Sequence, residues 1–409
     1  MKHFLAYGNS DQASFRTRDV QSAFDYLTVP GTIAAYYPDA TAGFVLSSKL
    51  EYVVDPRTPL FQGDIDIPKA SHYSLSEWHG PAVRARMGDD LSRDPVSFSP
   101  GFYTPAVIRS MVDTIVARQR EYGERAAGIQ EQLDRYERLL AAAHGVEPGP
   151  VIAQGKRPAF IVLPYFVTDG QDEWVATNRQ IRDYASDLDD PSSLSAVVAV
   201  KNVAILDDFL GDLPNRLSAS AYFWVDRFDE RAVVLDELVA LGVAVRHHSQ
   251  RLQLINLYGG FFSICLAYVG LWGFNNGLGY SESRDWPDLP ATGAAPARYY
   301  LPRLHAYVSP GLAEFITREA PALACPCPIC ENRAPVALTY PQLKQHFALA
   351  RKREISFVSD STSDEVADEL DDAAHVYLHE IAPILPPGIG RVNPQYLRRW
   401  ASALRQLAT

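Results

Sequence analysis

Cys325-Pro326-Cys327-Pro328-Ile329-Cys330 holds three of the four cysteines of this 409-residue chain. Three thiols packed into one short turn cannot pair off evenly as disulfides, whereas a tetrahedral zinc ion takes soft ligands at this spacing. Pro326 and Pro328 stiffen the turn. A fourth ligand is expected from a histidine nearby. His346 is the first candidate, on a helix expected over Tyr340 to Glu354 that can fold back over the cysteines; His375 and His379 are later ones. The cluster therefore predicts a structural Zn2+ site, Cys325, Cys327, Cys330 and His346, closed to water because all four positions are filled by protein. Cys265, inside an apolar segment, reads as a packed thiol.

Upstream of the cluster, short β-branched or aromatic runs alternate with amphipathic stretches from about Gly31 to Asn276, as parallel strands joined by helices do. The expected strands are Glu51 to Val54, Ala159 to Pro164, Ala196 to Val200, Ala219 to Val225, Leu252 to Leu257 and Leu271 to Asn275, all apolar on both faces. Thr104 to His144 reads as helical, interrupted at Gly123 and Gly128. Gln62 to Gly101 has little periodicity and is expected as a long loop or an elaborated connection near an active site. Gly277 to Pro310 is a second irregular stretch. Downstream the chain reads as helical, broken by an acidic run at Asp360 to Asp372. The expected architecture is an α/β fold, a (β/α)8 TIM-type barrel over 1–310 with an appended helical zinc-binding subdomain over 311–409.

Hydrophobic residues make up 47% of the sequence and aromatic ones 11%, enough for a large core. No apolar run reaches the about twenty residues of a membrane span. Met1-Lys2-His3-Phe4-Leu5 has no secretory apolar region, and clustered thiols suit a reducing compartment, so a cytoplasmic protein is expected. The net charge of −11 is the wrong sign for a chain whose affinity comes from neutralising phosphates. Two basic groups, Arg351-Lys352-Arg353 and Arg398, Arg399 with Arg405, are local exceptions that also read as solvated helix faces. His247-His248 reads as divergent side chains rather than a second metal site. No phosphate-cradling glycine loop is present.

Asp55, Asp169, Asp172, Asp226 and Asp229 fall at or just beyond expected strand ends. There they read either as carboxylates converging on a barrel mouth or as helix caps. Arg57 sits two positions from Asp55 and can pair with it. Tyr280, Glu282, Arg284 and His305 come after the last expected strand, where polar side chains can ring a pocket.

The order of these elements, ending in Cys-x-Cys-x-x-Cys and a histidine-bearing helix, resembles the tRNA-guanine transglycosylase superfamily. Val53-Val54-Asp55-Pro56-Arg57-Thr58-Pro59-Leu60-Phe61-Gln62 is similar to a divergent form of that family's Asp-Ser-Gly-Gly-Phe-Gln segment. The resemblance implies base exchange on a nucleic acid by an aspartate nucleophile on a late strand, and pairing of zinc subdomains into a homodimer through apolar faces such as Leu343, Phe347, Leu370, Val376 and Leu378. Leu271-Trp272-Gly273-Phe274-Asn275-Asn276-Gly277 departs from it, with Asn275 where the nucleophile belongs; an amide carries no carboxylate charge. Bulky residues from Ala221 to Asp226 replace the glycines that admit a purine. Gly277 to Arg284 and Tyr299 to His305 resemble a branch found in defence and DNA-modification operons, among them the transglycosylase-like ancillary protein of type IV CBASS antiphage systems.

If the chain is active, the resemblance assigns Asp55 as general acid or base and Asp169 as a base-edge contact. Asn275 or Glu282 would lie nearest the anomeric carbon, with Tyr222, Asp226, Tyr280 and Arg284 lining a site for a purine or 7-deazapurine. The resemblance leaves three functions open: a transglycosylase-like protein that binds or modifies such a target in tRNA or DNA, a non-catalytic scaffold for a defence-operon protein, or an exchange enzyme or glycosylase with a rearranged carboxylate.

Overall fold

A computed structural model describes residues 1–8, 14, 18–48, 50–88, 94–123, 134, 135, 138, 141, 157–278, 282–286, 296–331, 333–386 and 390–409. Its centre is a curled, fully parallel sheet of β1 (Lys2–Ala6), β2 (Tyr26–Pro30), β3 (Glu51–Asp55), β5 (Val197–Val200), β6 (Ser220–Val225), β7 (Gln253–Asn256) and β8 (Gly273–Gly277), with β4 (Ile161–Val162) standing outside it. The sheet order is β3-β2-β1-β8-β7-β6-β5, which leaves β3 and β5 as edges. The segment carrying β4 bonds to both. Ala159 N–H donates to Tyr52 O at 2.8 Å, β4 pairs in parallel with Leu194–Ser195, and Thr168 N–H donates to Ala199 O at 3.1 Å.

Alternation along the strands sorts side chains between two cores. Phe4, Val53, Val162, Val197, Tyr222 and Ile255 turn to the concave side and form one cluster with Phe160, Tyr165, Trp224 and Tyr258. Leu5, Leu27, Val54, Val198, Phe223 and Leu254 turn to the convex side, under helices that include α1 (Pro105–Tyr122), α2 (Trp174–Ser186), α3 (Leu206–Gly211), α4 (Leu235–His248) and α5 (Phe261–Cys265).

The six expected strands all contain observed strand, the 159–164 run only at Ile161–Val162. The rhythm begins earlier than expected, since β1 and β2 precede Gly31. Lys2-His3 disguises β1: His3 is buried, with Nδ1 2.9 Å from Ala23 O and Nε2 3.1 Å from Asn276 Oδ1. Of the two readings of Gln62 to Gly101, its described residues fit the elaborated connection rather than the long loop. It contains helices Ala70–Ser76 and Pro81–Met87 and the antiparallel pair Gly63–Ile65 with Val96–Phe98, held by buried Tyr73, Leu75, Trp78, Val83 and Met87. Of the long expected helix, α1 is observed, and most of the remainder beyond Gly123 lies outside the described residues.

After β8 comes an antiparallel hairpin, β9 (Tyr299–Leu301) and β10 (Ala306–Val308). Then come the cysteine turn and α6 (Tyr340–Asp360), α7 (Ser363–Val376) and α8 (Gln395–Ala408). The helices break at Ser361-Thr362, at the start of the acidic run, and the rest of the run is helical. Thr362 caps α7, Asp368 and Asp371 pair with Arg405, and Glu369 and Asp372 pair with Arg303. Leu343, Phe347 and Leu370 are buried within this one chain, and Val376 and Leu378 are half-buried. No helix of the described residues is long and apolar enough to cross a membrane.

Burial lowers the pKa of His3, His72 and His79 to about 4 each, the nearby Lys69 assisting at His72. The folded values lie below the unfolded one of about 6.5, so the unfolded chain holds more protons between about pH 4 and 6.5. Stability should therefore fall on acidification through that window, by up to about 4 kcal/mol per pH unit for three protons. Glu230, whose pKa burial pushes up to about 7, works against this by about one proton. Urea unfolding between pH 4.5 and 7 should show net proton uptake, reduced in His3→Gln; equal pH slopes for the two proteins would contradict the assignment.

Candidate functional site

The cysteine turn closes on itself, with Cys330 N–H and Glu331 N–H donating to Cys327 O at 3.0 and 3.1 Å. Thr339 and Gln342 form a capping box that starts α6 and sets the register bringing His346 over the turn. His346 Nδ1 lies 3.2 Å from Cys330 Sγ and 3.5 Å from Cys327 Sγ, and the donor atoms of Cys325, Cys327, Cys330 and His346 all lie within 4.8 Å of one another. Bonds of about 2.3 Å to sulfur and about 2.0 Å to nitrogen give a tetrahedron with edges of about 3.5 Å, so the set fits one zinc-like ion. His346 Nε2 is held 2.6 Å from Tyr300 O, and Tyr299 stacks on the ring at 4.2 Å with its hydroxyl 3.2 Å from Cys330 Sγ. These contacts fix the tautomer and ring plane, as the partners of a ligating histidine do.

The electrostatics also ask for a cation. Burial opposes charge on His346, yet Cys327 and Cys330 raise its pKa to about 9. Contacts from Cys325 and Cys330 hold the Cys327 thiol low, while the Cys325 thiol is pushed up. A divalent ion held by these four residues would replace the shared protons. The His375 and His379 rings lie tilted against each other, centroids 4.3 Å apart, and do not join the set.

A second constellation lies at the C-terminal ends of the strands. Asp55, ending β3, is buried; its Oδ1 accepts from Arg57 N–H at 3.0 Å and from the Tyr165 hydroxyl at 2.9 Å. Arg57, in the left-handed region at φ 56°, brings Nε 2.7 Å from Asp55 Oδ2 as an ion pair without hydrogen-bond alignment. Arg57 and Arg284 both approach the Tyr258 ring, at 6.0 and 5.8 Å. The space left between Arg57, Tyr165, Trp224, Tyr258, Arg284 and Trp286 is about 10 Å³, room for about one water. A drug-sized ligand needs a few hundred Å³. A larger cavity of about 240 Å³, beside Arg120, Arg157, Phe160 and Ser193, lies at the opposite end of the strands from Asp55.

The other expected site residues scatter. Asn275 shares the inner face, in register with Phe4, but its amide donates to Leu257 O at 3.1 Å and its buried Oδ1 has no partner among the described residues. Tyr222 fills the inner core. Asp169 caps a turn, accepting from Gln171 and Asp172 N–H at 3.0 Å, and Asp172 and Asp229 likewise hold local contacts. Asp226 accepts from Trp286 N–H at 2.8 Å, and burial pushes its carboxyl up. Tyr280 lies outside the described residues.

Glu282 belongs to neither constellation. Its Oε1 takes the Arg351 guanidinium and, at 3.3 Å, the Tyr307 hydroxyl, and Arg231 Nη2 lies 3.5 Å from Oε2. Arg351, expected on a solvated basic face, is fully buried; it pairs with Glu354 at 2.9 Å, which accepts from Tyr300 and faces His305 Nδ1 at 2.6 Å. Next to them Glu230 receives the N–H groups of Gly260, Phe262 and Ser263. A Cβ on Gly260 would come 2.7 Å from its carboxylate, so only glycine permits this approach. This seam ties α6 and the hairpin to the sheet. Arg399 and Arg405, from the second basic group, are likewise engaged, with Arg231 O and with Asp368 and Asp371.

No family model matches the chain, and no curated protein matches it. Among solved structures it is similar to one described as a putative fructose-1,6-biphosphate aldolase from Coccidioides immitis, with 8% identity, 88% of each chain covered and a TM-score of 0.32, a likeness too distant to carry an argument.

Proposed function

We propose that this chain is a transglycosylase-like (β/α)8 barrel, β4 completing the ring, whose zinc-clipped helical part over 311–409 serves recognition, and that it does not exchange bases. The observation carrying this reading is the filled mouth: Asp55 is paired with Arg57 and accepts from the Tyr165 hydroxyl, and about 10 Å³ remains beside it. Barrel enzymes keep their reactive groups at that end of the strands. Asn275 in place of a carboxylate removes the nucleophile of a double displacement, and Glu282 is tied to Arg351 instead of replacing it. The acidic net charge weighs against tRNA or DNA as the main partner and toward a protein, of the kind a defence operon would supply.

The test is incorporation of radiolabelled guanine or 7-deazaguanine into tRNA and duplex DNA. The expected result is none above heat-inactivated protein; efficient incorporation, lost in Asp55→Asn, would overturn the reading. Asn275→Asp should not create activity. It replaces the donor to Leu257 O by a buried carboxylate facing a carbonyl, and should cost about 1–3 kcal/mol of stability. A trapped covalent adduct in that variant would show that the mouth opens.

A further inference from the structure

Outside the sheet, far along the chain from the cysteines, His247 and His248 end α4 side by side. Consecutive helical side chains ordinarily diverge by about 100°. Here the two imidazoles stack, centroids 4.5 Å apart and planes 24° apart. Both reach one carboxylate in the first turn of α3: His247 Nδ1 lies 3.0 Å and His248 Nε2 3.1 Å from Asp207 Oδ1. His247 Nδ1 is also 3.3 Å from Oδ2, and His248 Nε2 is 2.9 Å from Asp207 O.

We propose that Asp207, His247 and His248 form a second, exchangeable metal site, for a divalent first-row transition ion of the zinc, nickel or cobalt kind. Three arguments carry it. The first is geometric: ligand bonds of about 2.0–2.1 Å place neighbouring donors about 2.9 Å apart in an octahedron and about 3.4 Å apart in a tetrahedron, and the separations of 3.0 and 3.1 Å fall between. The second is donor chemistry. Two imidazoles and one carboxylate suit borderline transition ions, whereas magnesium and calcium want oxygen shells. The third is the field: α4 ends here, and a helix C-terminus favours a cation over its last turn.

Burial decides what kind of site this is. His248 is buried beside Gly211, where an added Cβ would lie 3.6 Å from the ring. The His247 side chain is 66% exposed and that of Asp207 42%, so water completes the coordination and the ion exchanges freely. The ion would clip α3 to α4 on the convex side of the sheet, independently of the cysteine cluster and of any chemistry at the mouth.

The test uses the tag-free, full-length protein as purified, with its cysteine-cluster metal left in place. Titration with NiCl2 above the histidine titration range, monitored by calorimetry, should show one saturable equivalent. His247→Ala and Asp207→Asn should each weaken it by about tenfold or more. These side chains are too exposed for their loss to unfold the protein, which metal-free melting curves would verify. CoCl2 at this site should give visible d–d bands without the near-ultraviolet sulfur-to-cobalt transition, separating it from the thiolate cluster. No saturable nickel binding, or variants that bind as the parent does, would overturn the proposal and leave the contacts as an ordinary histidine–aspartate hydrogen-bond cluster.

Discussion

Stripping the metal from Cys325, Cys327, Cys330 and His346, or replacing one ligand as in Cys327→Ser, should unfold the C-terminal helical part and take most of the chain's stability with it. Structural zinc in finger peptides contributes about 10–16 kcal/mol at neutral pH, an upper bound here because α6, α7 and α8 also share a hydrophobic core with the sheet. The donors have little alternative use. Cys327 and His346 are fully buried, and without an ion the cluster must crowd thiols and an imidazolium together away from water. Elemental analysis should find one zinc per chain. Chelation should lower the melting temperature by more than about 10 °C, a shift of several kcal/mol even for a large domain, and should expose 311–409 to limited proteolysis first. A fully folded protein without metal, or a Cys327→Ser variant that melts with the parent, would refute the site.

That cluster is legible in the sequence because its information is local: a turn of three cysteines and a histidine one helix away. The strands from β3 onward are legible for a related reason, since burial on both faces writes a continuous apolar run. β1 and β2 are not, because a buried histidine with two hydrogen-bond partners looks polar in sequence and because Tyr26 to Pro30 carries Thr28 and Pro30. The surroundings of Asp55 are long-range. Tyr165 is 110 positions away, and nothing near Asp55 announces it. His247 and His248 defeat the rule that neighbours on a helix diverge, because the rule fixes where Cβ points and leaves the rings free to swing onto a shared carboxylate.

Arg351 departs most instructively from its expected place, because its signal is present in the sequence. Phe347, Arg351, Glu354 and Val358 recur at helical spacing, all four are buried, and Lys352 and Arg353 beside them are exposed. Read as a basic triplet, the residue is a solvated charge; read by helical period, it lies on the buried stripe.

Arg351→Met should therefore be the most damaging single change outside the metal cluster, costing about 3–5 kcal/mol. Methionine fills much of the volume, so the loss is mainly electrostatic. Arg351 stands between Glu282 and Glu354, with its guanidinium against the rings of Tyr300 and Phe347 at 5.1 Å. Without it, Glu282 keeps Arg231, whereas Glu354 keeps, among the described residues, only His305 and the Tyr300 hydroxyl. That residue pair supplies the discriminating readout. Burial above all, and to a smaller degree the positive charge of Arg351, lowers the pKa of His305. Once Arg351 is gone, the imidazole can take a proton and become the counter-ion that Glu354 has lost. A group whose folded pKa is raised gives stability that is present at low pH and lost as pH rises through that value. The deficit of Arg351→Met relative to the parent should accordingly be smaller near pH 6 than near pH 8 in paired urea unfolding curves. A cavity or a packing fault would cost the same at both. A deficit independent of pH would assign Arg351 to packing alone, whereas its shrinkage at the lower pH, abolished by adding His305→Gln, would establish the seam as one coupled charge network joining the helical part to the sheet.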